Sequence, residues 1–400
     1  MLKIPSLRFL TRAHGAGKLV PNYFSLFDVG TDTVKIAVVD VKPGAINVLG
    51  HSLAPVNGRD VAGGRAQAAA LAGAINRALQ EAEDATEALA GRKIVPDHAL
   101  FSLPGRALKG QRFSVKQRRS RPGQPITPKE LDALWERAVR LAKQGLPSLS
   151  GVGDDWVPQT VTPAGLWLDN HLVNDAAGLQ GAALSLSVYG VTSHPAILRG
   201  LEQLSEKLEL EIFRLVPASQ ALATIVPARD ALLLDVGAGG TDCCLMRHDA
   251  LAAAGRVPAG GTFFTRAMSR AFKCDLESAE ALKVAFATGA LTAADVTLVR
   301  RSLQLPLARW ATEIAEAVTA MPPATETRTL PAQLYLTGGS AVLPGLNAAL
   351  LNGLKEAGFT FERSPEISSL GQTALNGFNH GPSGFRGMLF ALALSLAKTV

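Results

Sequence analysis

The sequence predicts an α/β protein built from two similar halves, with a small α+β module set into the first. Three observations carry that prediction. An apolar run, Asp-Val-Gly, a turn of small residues and a returning apolar run occur between Tyr23 and Val41, and the same pattern recurs from Ala231. Strand-like runs alternate with stretches of helical spacing, the pattern of a sheet covered by helices. Residues 95–190 interrupt this pattern with strands and a helix of their own. The 400 residues, 47% hydrophobic and 18% charged, are enough for a large core and exclude disorder as the main state.

Residues 1–20 are basic, contain no acid and end in a Gly-rich stretch, as an appended arm would. The runs YFSLF and VKIAVV flank Asp28-Val29-Gly30-Thr31-Asp32, predicting strand, tight turn and strand. Ala62–Leu89 is Ala-rich, with Leu71, Ile75 and Leu79 at helical spacing. A strand is expected at His98–Leu103, followed by a basic, loop-rich stretch at Gly105–Pro125. Thr127-Pro128-Lys129-Glu130 then opens a helix: Thr127 can cap it, Pro128 suits its first position and Glu130 closes a capping box. Leu131, Leu134, Trp135, Ala138, Val139 and Leu141 form the apolar face of that helix. A Gly/Asp/Pro-rich loop leads to strands near Gln159–Leu168 and Ala182–Val191, and then to a helix at Pro195–Glu209.

At Ala231 the run ALLL enters Asp235-Val236-Gly237-Ala238-Gly239-Gly240-Thr241-Asp242 and leaves through CCLM. A third turn, Gly338-Gly339-Ser340, follows the run Gln333–Thr337 and precedes a helix opened by Leu343-Pro344-Gly345. Met388–Ala397 is expected as a buried terminal helix. The resulting division is an arm at 1–20, the first half from 21–94, an insertion at 95–192, a return at 193–230, the second half at 231–380 and a closing helix at 381–400.

Composition narrows the function classes. The formal net charge of +6 is slight for this length, so basicity alone does not indicate nucleic acid, and none is expected as a partner. Cys243, Cys244 and Cys274 are odd in number and suit neither a disulfide framework nor CxxC metal ligation. No apolar run approaches the roughly 20 residues of a membrane span, and Arg8 and Arg12 interrupt the start as a secretory signal would not. A cytoplasmic protein is expected.

Glycines at the turns can bring backbone N–H groups onto an anion, so two facing hairpins could hold a phosphate tail. Asp28 and Asp235 would then meet Mg²⁺ through water, and Thr31 and Thr241 could add hydroxyl donors. One such turn alone would be an ordinary hairpin with Asp chosen for turn chemistry. Two copies and the Gly-Gly-Ser turn favour phosphate binding. Walker and dinucleotide-fold fingerprints fail: Gly17-Lys18 lacks the upstream glycine, and Asp242 stands where Gly or Ala is wanted.

The three turns, in this order and at these distances, resemble the phosphate-1, phosphate-2 and adenosine motifs of the actin-like (RNase H-like) ATPase superfamily. Pro258-Ala259-Gly260-Gly261-Thr262, with Glu280 and Lys283 beyond it, resembles the stretch that reaches the nucleotide's sugar and base there. SLPGRALKGQRFSV, ITPKELDALWERA and VNDAAGLQGAALSLSVYGVT are similar to the inserted 1C subdomain of the FtsA cell-division family. The resemblance covers about residues 23–397. It implies a protein that binds ATP with Mg²⁺, assembles into filaments, links FtsZ filaments to the inner membrane, recruits later division proteins and turns ATP over slowly if at all. Asp28, Gly30, Thr31 and Lys35 would serve the phosphates from one side, and Asp235, Gly237, Gly239, Gly240 and Thr241 from the other. Gly260, Gly261, Glu280 and Lys283 would lie near the ribose, and Gly338, Gly339 and Ser340 against adenine. No catalytic residue is assigned; Gln220 is expected on a helix surface rather than positioning water. PilM, which shares fold and insertion and binds a short peptide of an inner-membrane partner, is the alternative within the superfamily.

Two departures from the FtsA pattern carry expectations. The chain stops at Val400, where FtsA-like proteins commonly continue into a linker and an amphipathic membrane helix. Leu2, Ile4, Leu7, Phe9 and Leu10 beside Lys3, Arg8 and Arg12 suit anionic lipid, so the arm at 1–20 is expected to substitute, a disordered start being the alternative. Arg106, Lys109, Arg112, Lys116, Arg118, Arg119 and Arg121 form an acid-free stretch suited to an acidic partner or lipid headgroups, or simply a solvated loop.

Overall fold

The structure, a computed structural model, describes residues 22–42, 45–56, 65–103, 105, 107–146, 157–321, 328–370, 378–379 and 390–398. The arm at 1–20, Arg106 and residues 381–389 lie outside them.

In the first half, β1 (Tyr23–Val29), β2 (Thr33–Lys42) and β3 (Ala45–Pro55) form an antiparallel meander. Gly30 turns the chain, donating its N–H to the Thr33 carbonyl at 3.1 Å. After α1 (Arg65–Asp84) and α2 (Glu87–Ala90), β4 (His98–Leu103) adds parallel to β1. The runs are continuously apolar because both faces of this sheet are covered. Phe27, Val34 and Ile36 meet α1 residues such as Ala78 and Leu79, while Phe24, Leu26 and Val39 meet the terminal helix Ala391–Ala397. A Cβ on Gly50 of β3 would lie 2.1 Å from the Ala82 carbonyl of α1, so glycine permits this close approach.

The inserted module contains β5 (Leu108–Arg118), α3 (Pro128–Gly145), β6 (Val157–Leu168), β7 (His171–Val173) and β8 (Ala183–Ser193). Its sheet has the order β5-β8-β6-β7 and is antiparallel throughout. α3 lays Leu131, Leu134 and Ala138 on Phe113, Val115, Leu186 and Val188. The capping box forms as the sequence predicts: Glu130 N–H donates to Thr127 Oγ1 at 3.3 Å, and Thr127 N–H to Glu130 Oε2 at 3.0 Å. The chain returns through α4 (Pro195–Leu208) to β9 (Glu211–Pro217), parallel to β4, and α5 (Ala218–Ala223).

The second half repeats the first. β10 (Ala231–Val236), β11 (Thr241–Arg247) and β12 (Ala250–Val257) form a meander, followed by α6 (Gly261–Phe272), α7 (Leu276–Thr288) and α8 (Ala293–Thr319). A short β13 (Thr329–Leu330) pairs with β15 (Thr360–Phe361); β14 (Gln333–Thr337) and β16 (Glu366–Ser369) extend the main sheet in parallel. The helix Leu346–Glu356 lies between β14 and β15, and β17 (Phe378–Asn379) comes last. The sheet orders are β17-β3-β2-β1-β4-β9 and β12-β11-β10-β14-β16. Apart from β17, position by position, pairing and direction are the same, which is the duplicated fold the repeated motif predicts. Alternate residues of β10 serve two cores. Leu232 and Leu234 face the second half's helices, while Ala231 and Leu233, with Cys244 and Met246 of β11, join the first half's core. Burial pushes the Cys243 and Cys244 thiols well up, so both stay protonated and inert.

Several expectations change. His98–Leu103 lies between β1 and β9 in the first sheet, so the expected insertion start at 95 falls before a strand of the first half. β17 pairs with β3 and so belongs to the first sheet, although it precedes the expected boundary at 380. The stretch expected as a loop at Gly105–Pro125 is mostly β5; its alternation survives only at Phe113 and Val115 and is hidden elsewhere by the basic residues. Those residues do not form one patch. Arg119 is 8% exposed and donates to Glu130 at 3.0 and 3.2 Å and to the carbonyls of Gln124 and Gly181 at 3.0 Å each. Arg112 stacks 5.1 Å over Trp167 and donates to Ser187 at 3.0 Å. Lys116, Arg118 and Arg121 are exposed. Among the described residues no single helix is long and apolar enough to cross a membrane.

Candidate nucleotide site

The two meanders face each other across a cleft of about 410 Å³, a volume suited to a small ligand. Its floor is set by strand register. Asp28 of β1 stands opposite Lys35 of β2, and the pair closes at 2.7 Å. In the second half Asp235 of β10 stands opposite Asp242 of β11, and Asp242 opposite Arg256 of β12. Arg256 Nη1 donates to Asp242 Oδ2 at 2.6 Å.

The turns above the floor are built for close backbone approach. A Cβ on Gly239 would lie 2.6 Å from Thr31 Oγ1 of the opposite turn, so only glycine lets the two hairpins meet this closely. Gly338 holds φ +90°, and a Cβ there would come within 2.4 Å of Asp235 Oδ1. The second turn is fixed from behind: Gly261 N–H donates to the Gly237 carbonyl at 2.8 Å, Thr262 N–H to Ala238 at 2.9 Å, and Ser340 N–H to Val236 at 3.0 Å. These bonds tie the start of α6 and the Gly-Gly-Ser turn to one hairpin.

Charge is concentrated on the floor. Burial, with the neighbouring Asp242 and Asp28 charges, pushes the Asp235 carboxyl up to about 7, against the smaller opposing pull of Lys35 and Arg256. Burial would lower the Lys35 ammonium, but Asp28 and Asp235 outweigh it and its pKa is raised. Three carboxylates and two cations thus converge, and an incoming divalent cation would relieve the excess of negative charge. Among the described residues no three His, Cys, Asp or Glu side chains are grouped to hold a metal directly.

Asp28, Gly30, Thr31, Lys35, Asp235, Gly237, Gly239, Gly240, Gly261, Glu280, Lys283, Gly338, Gly339 and Ser340 all line the cleft. Thr241 and Gly260 do not. Thr241 is fully buried; its hydroxyl donates to the Ala259 carbonyl at 2.7 Å and accepts from the Trp310 indole at 3.0 Å, so it braces α8 and has no donor for phosphate. Gly260 caps α6, where a Cβ would strike the Gly237 carbonyl at 2.3 Å. Lys283 lines the cleft while its three donors go to Glu280 at 2.9 Å, Thr265 at 2.9 Å and the Gly261 carbonyl at 3.1 Å, which joins α7 to α6. Gln220 donates to Thr162 at 2.6 Å, tying α5 to the insertion. Sequence reasoning missed Asp242 and Arg256, and the apolar lining from Val284, Ala287 and Val342. Hairpin register about the 235–242 turn would have found Asp242; Arg256 required the next strand's register as well.

Comparison with known proteins agrees with the fold. The cell-division protein FtsA of Streptococcus pneumoniae is 24% identical across 94% of this chain and 89% of its own length. FtsA of Neisseria meningitidis is 24% identical across 66% of this chain, and the match spans 61% of that protein's length. Among solved structures, a chain of the PilM-PilN type IV pilus biogenesis complex superposes with a TM-score of 0.64 at 20% identity, covering 94% of this chain and 97% of that one. The fold is that of the actin-like ATPases, related to FtsA and PilM. The ethanolamine utilization protein EutJ of Carboxydothermus hydrogenoformans shares it at a TM-score of 0.51 and 17% identity, over 97% of this chain and 93% of that one. No family model matches the chain.

Proposed function

We propose that this protein binds ATP with Mg²⁺ between its two halves and uses the bound nucleotide to control its own assembly, as an FtsA-like adaptor between FtsZ filaments and the cytoplasmic face of the inner membrane. The observation that carries the nucleotide reading is the pair of glycine turns meeting at Gly239 and Thr31 over Asp28, Lys35 and Asp235. The cradle fits a phosphate tail. Its backbone is open where a Cβ would fill it, Lys35 supplies a cation, and Asp28 and Asp235 are hard oxygen donors that would hold Mg²⁺ through water. The ion would neutralise phosphate charge; the chain's own groups bind and orient. Val284, Ala287 and Val342 offer apolar surface to a base, beside the Gly-Gly-Ser turn. Slow turnover at most belongs to the same proposal, and no side chain is assigned as a catalytic base.

The division role is supported by the two FtsA relatives, each 24% identical to this chain. Self-association, recruitment of later division proteins and membrane contact through residues 1–20 belong to the same proposal. A PilM-like scaffold that binds a peptide of an inner-membrane partner is the second reading, favoured by the fold likeness to a chain of the PilM-PilN complex over 94% of this chain. Co-sedimentation with FtsZ filaments and anionic vesicles, with and without Mg·ATP, tests the choice. Nucleotide-dependent binding to both supports the adaptor. Binding to neither, together with capture of a short inner-membrane peptide, supports the scaffold.

A further inference from the structure

The Arg256–Asp242 pair lies in the cleft beyond the residues that the turn motifs single out. Arg256 extends from β12 across β11, so its guanidinium reaches the second glycine turn from the side; a Cβ on Gly240 would come within 2.8 Å of Nη2. Among the described residues its one side-chain hydrogen bond runs from Nη1 to Asp242, and its side chain is 18% exposed, toward the cleft. An arginine carries five donors in a planar fork matched to phosphate oxygens, and one carboxylate bond leaves most of them unspent. Lys35 makes the same arrangement from the other half, a cation held by a carboxylate at 2.7 Å. Two cations therefore flank the floor from opposite sides, each restrained by an aspartate when no anion is present. The second aspartate also lies close beside the root of the insertion: a Cβ on Gly105, between β4 and β5, would lie 2.9 Å from Asp242 Oδ1 and 3.5 Å from Arg256 Cδ.

We infer that Arg256 discriminates nucleoside triphosphate from diphosphate, by turning part of its guanidinium from Asp242 onto the terminal phosphate and so loosening Asp242 from the root of the inserted module. This rests on the nucleotide reading above and adds the residue that senses phosphate number. Lys35 and the turn glycines serve any phosphate tail; Arg256 would serve the longer one. A charge-assisted contact of this kind is worth about 10- to 100-fold in affinity.

The test is calorimetric titration of the full chain with Mg·ATP and Mg·ADP, comparing wild type with Arg256→Met and with the double variant Arg256→Met/Asp242→Asn. The double variant removes the carboxylate charge together with the guanidinium that balances it at 2.6 Å, and circular dichroism verifies that it folds. The wild type is expected to bind ATP more tightly than ADP by about tenfold or more, and the double variant to bind both with about the ADP affinity of the wild type. Hydrogen exchange at the residues around Gly105 should rise with ATP, not with ADP, and only in the wild type. An ATP/ADP ratio unchanged in the folded double variant overturns the inference and leaves the nucleotide reading standing. A wild type that binds neither nucleotide overturns both.

Discussion

Replacing Asp235 with asparagine should stabilise the nucleotide-free protein at alkaline pH while removing Mg·ATP binding. The Asp235 carboxyl titrates near 7 in the folded state against an ordinary value of 3.8. Between those values the folded chain holds a proton that the unfolded chain has released. The stability this group contributes is thus present below about pH 3.8 and lost as pH rises through about 7. From pH 5 to the folded value is about two pH units, or roughly 2.7 kcal/mol at 1.36 kcal/mol per unit. Asp235 still faces cleft water, which screens its neighbours' charges, so about 2 kcal/mol is the expected loss between pH 5 and pH 8. Asparagine keeps the shape and carries no charge. Urea unfolding of nucleotide-free wild type and Asp235→Asn at both pH values measures the difference: the wild type should lose about 2 kcal/mol more than the variant. Equal pH dependence in the two proteins would refute the burial of Asp235 beside Asp242 and Asp28 on which the site is argued.

Three further outcomes follow from the geometry. Gly338→Ala forces φ +90° on a residue with a Cβ and drives that carbon toward Asp235; thermal melts should show a loss of about 1–2 kcal/mol together with loss of nucleotide binding. Arg119→Ala should cost about 2–3 kcal/mol in denaturant unfolding, because it removes a buried side chain and its bonds to Glu130 and to the Gln124 and Gly181 carbonyls, whereas Arg118→Ala, at an exposed position, should stay within about 0.5 kcal/mol. Trp310→Phe deletes the indole donor to Thr241 and should cost about 1–2 kcal/mol without changing nucleotide affinity, since Thr241 faces α8 and not the cleft.

The sequence made the duplicated architecture legible because each Asp-Val-Gly turn is local. A hairpin through Gly30 or Gly237–Gly240 needs only its own residues, and strands buried on both faces announce themselves as unbroken apolar runs. The capping box at Thr127 is legible for the same reason. Long-range register was hidden. Nothing in His98–Leu103 says that it inserts between β1 and β9 rather than opening the module. Thr241 sits in the turn motif, yet strand alternation points its hydroxyl at Trp310, 69 residues away along the chain. Arg119 looked like part of a solvated basic run until the fold brought Glu130 and the Gly181 carbonyl to it. Charge is therefore a poor guide to exposure when the neighbours that neutralise it come from elsewhere in the chain.

If two glycine turns, one from each half, close on the phosphates of Mg·ATP, filling the gap between them must abolish binding. Gly239 tests it most directly, because a side chain there would fill the 2.6 Å approach to Thr31 in a backbone conformation open to any residue. Calorimetric titration of Mg·ATP into wild type and Gly239→Val should give one saturable site in the wild type and none in a folded variant. Undiminished binding by the variant, or none by the wild type, would contradict the account.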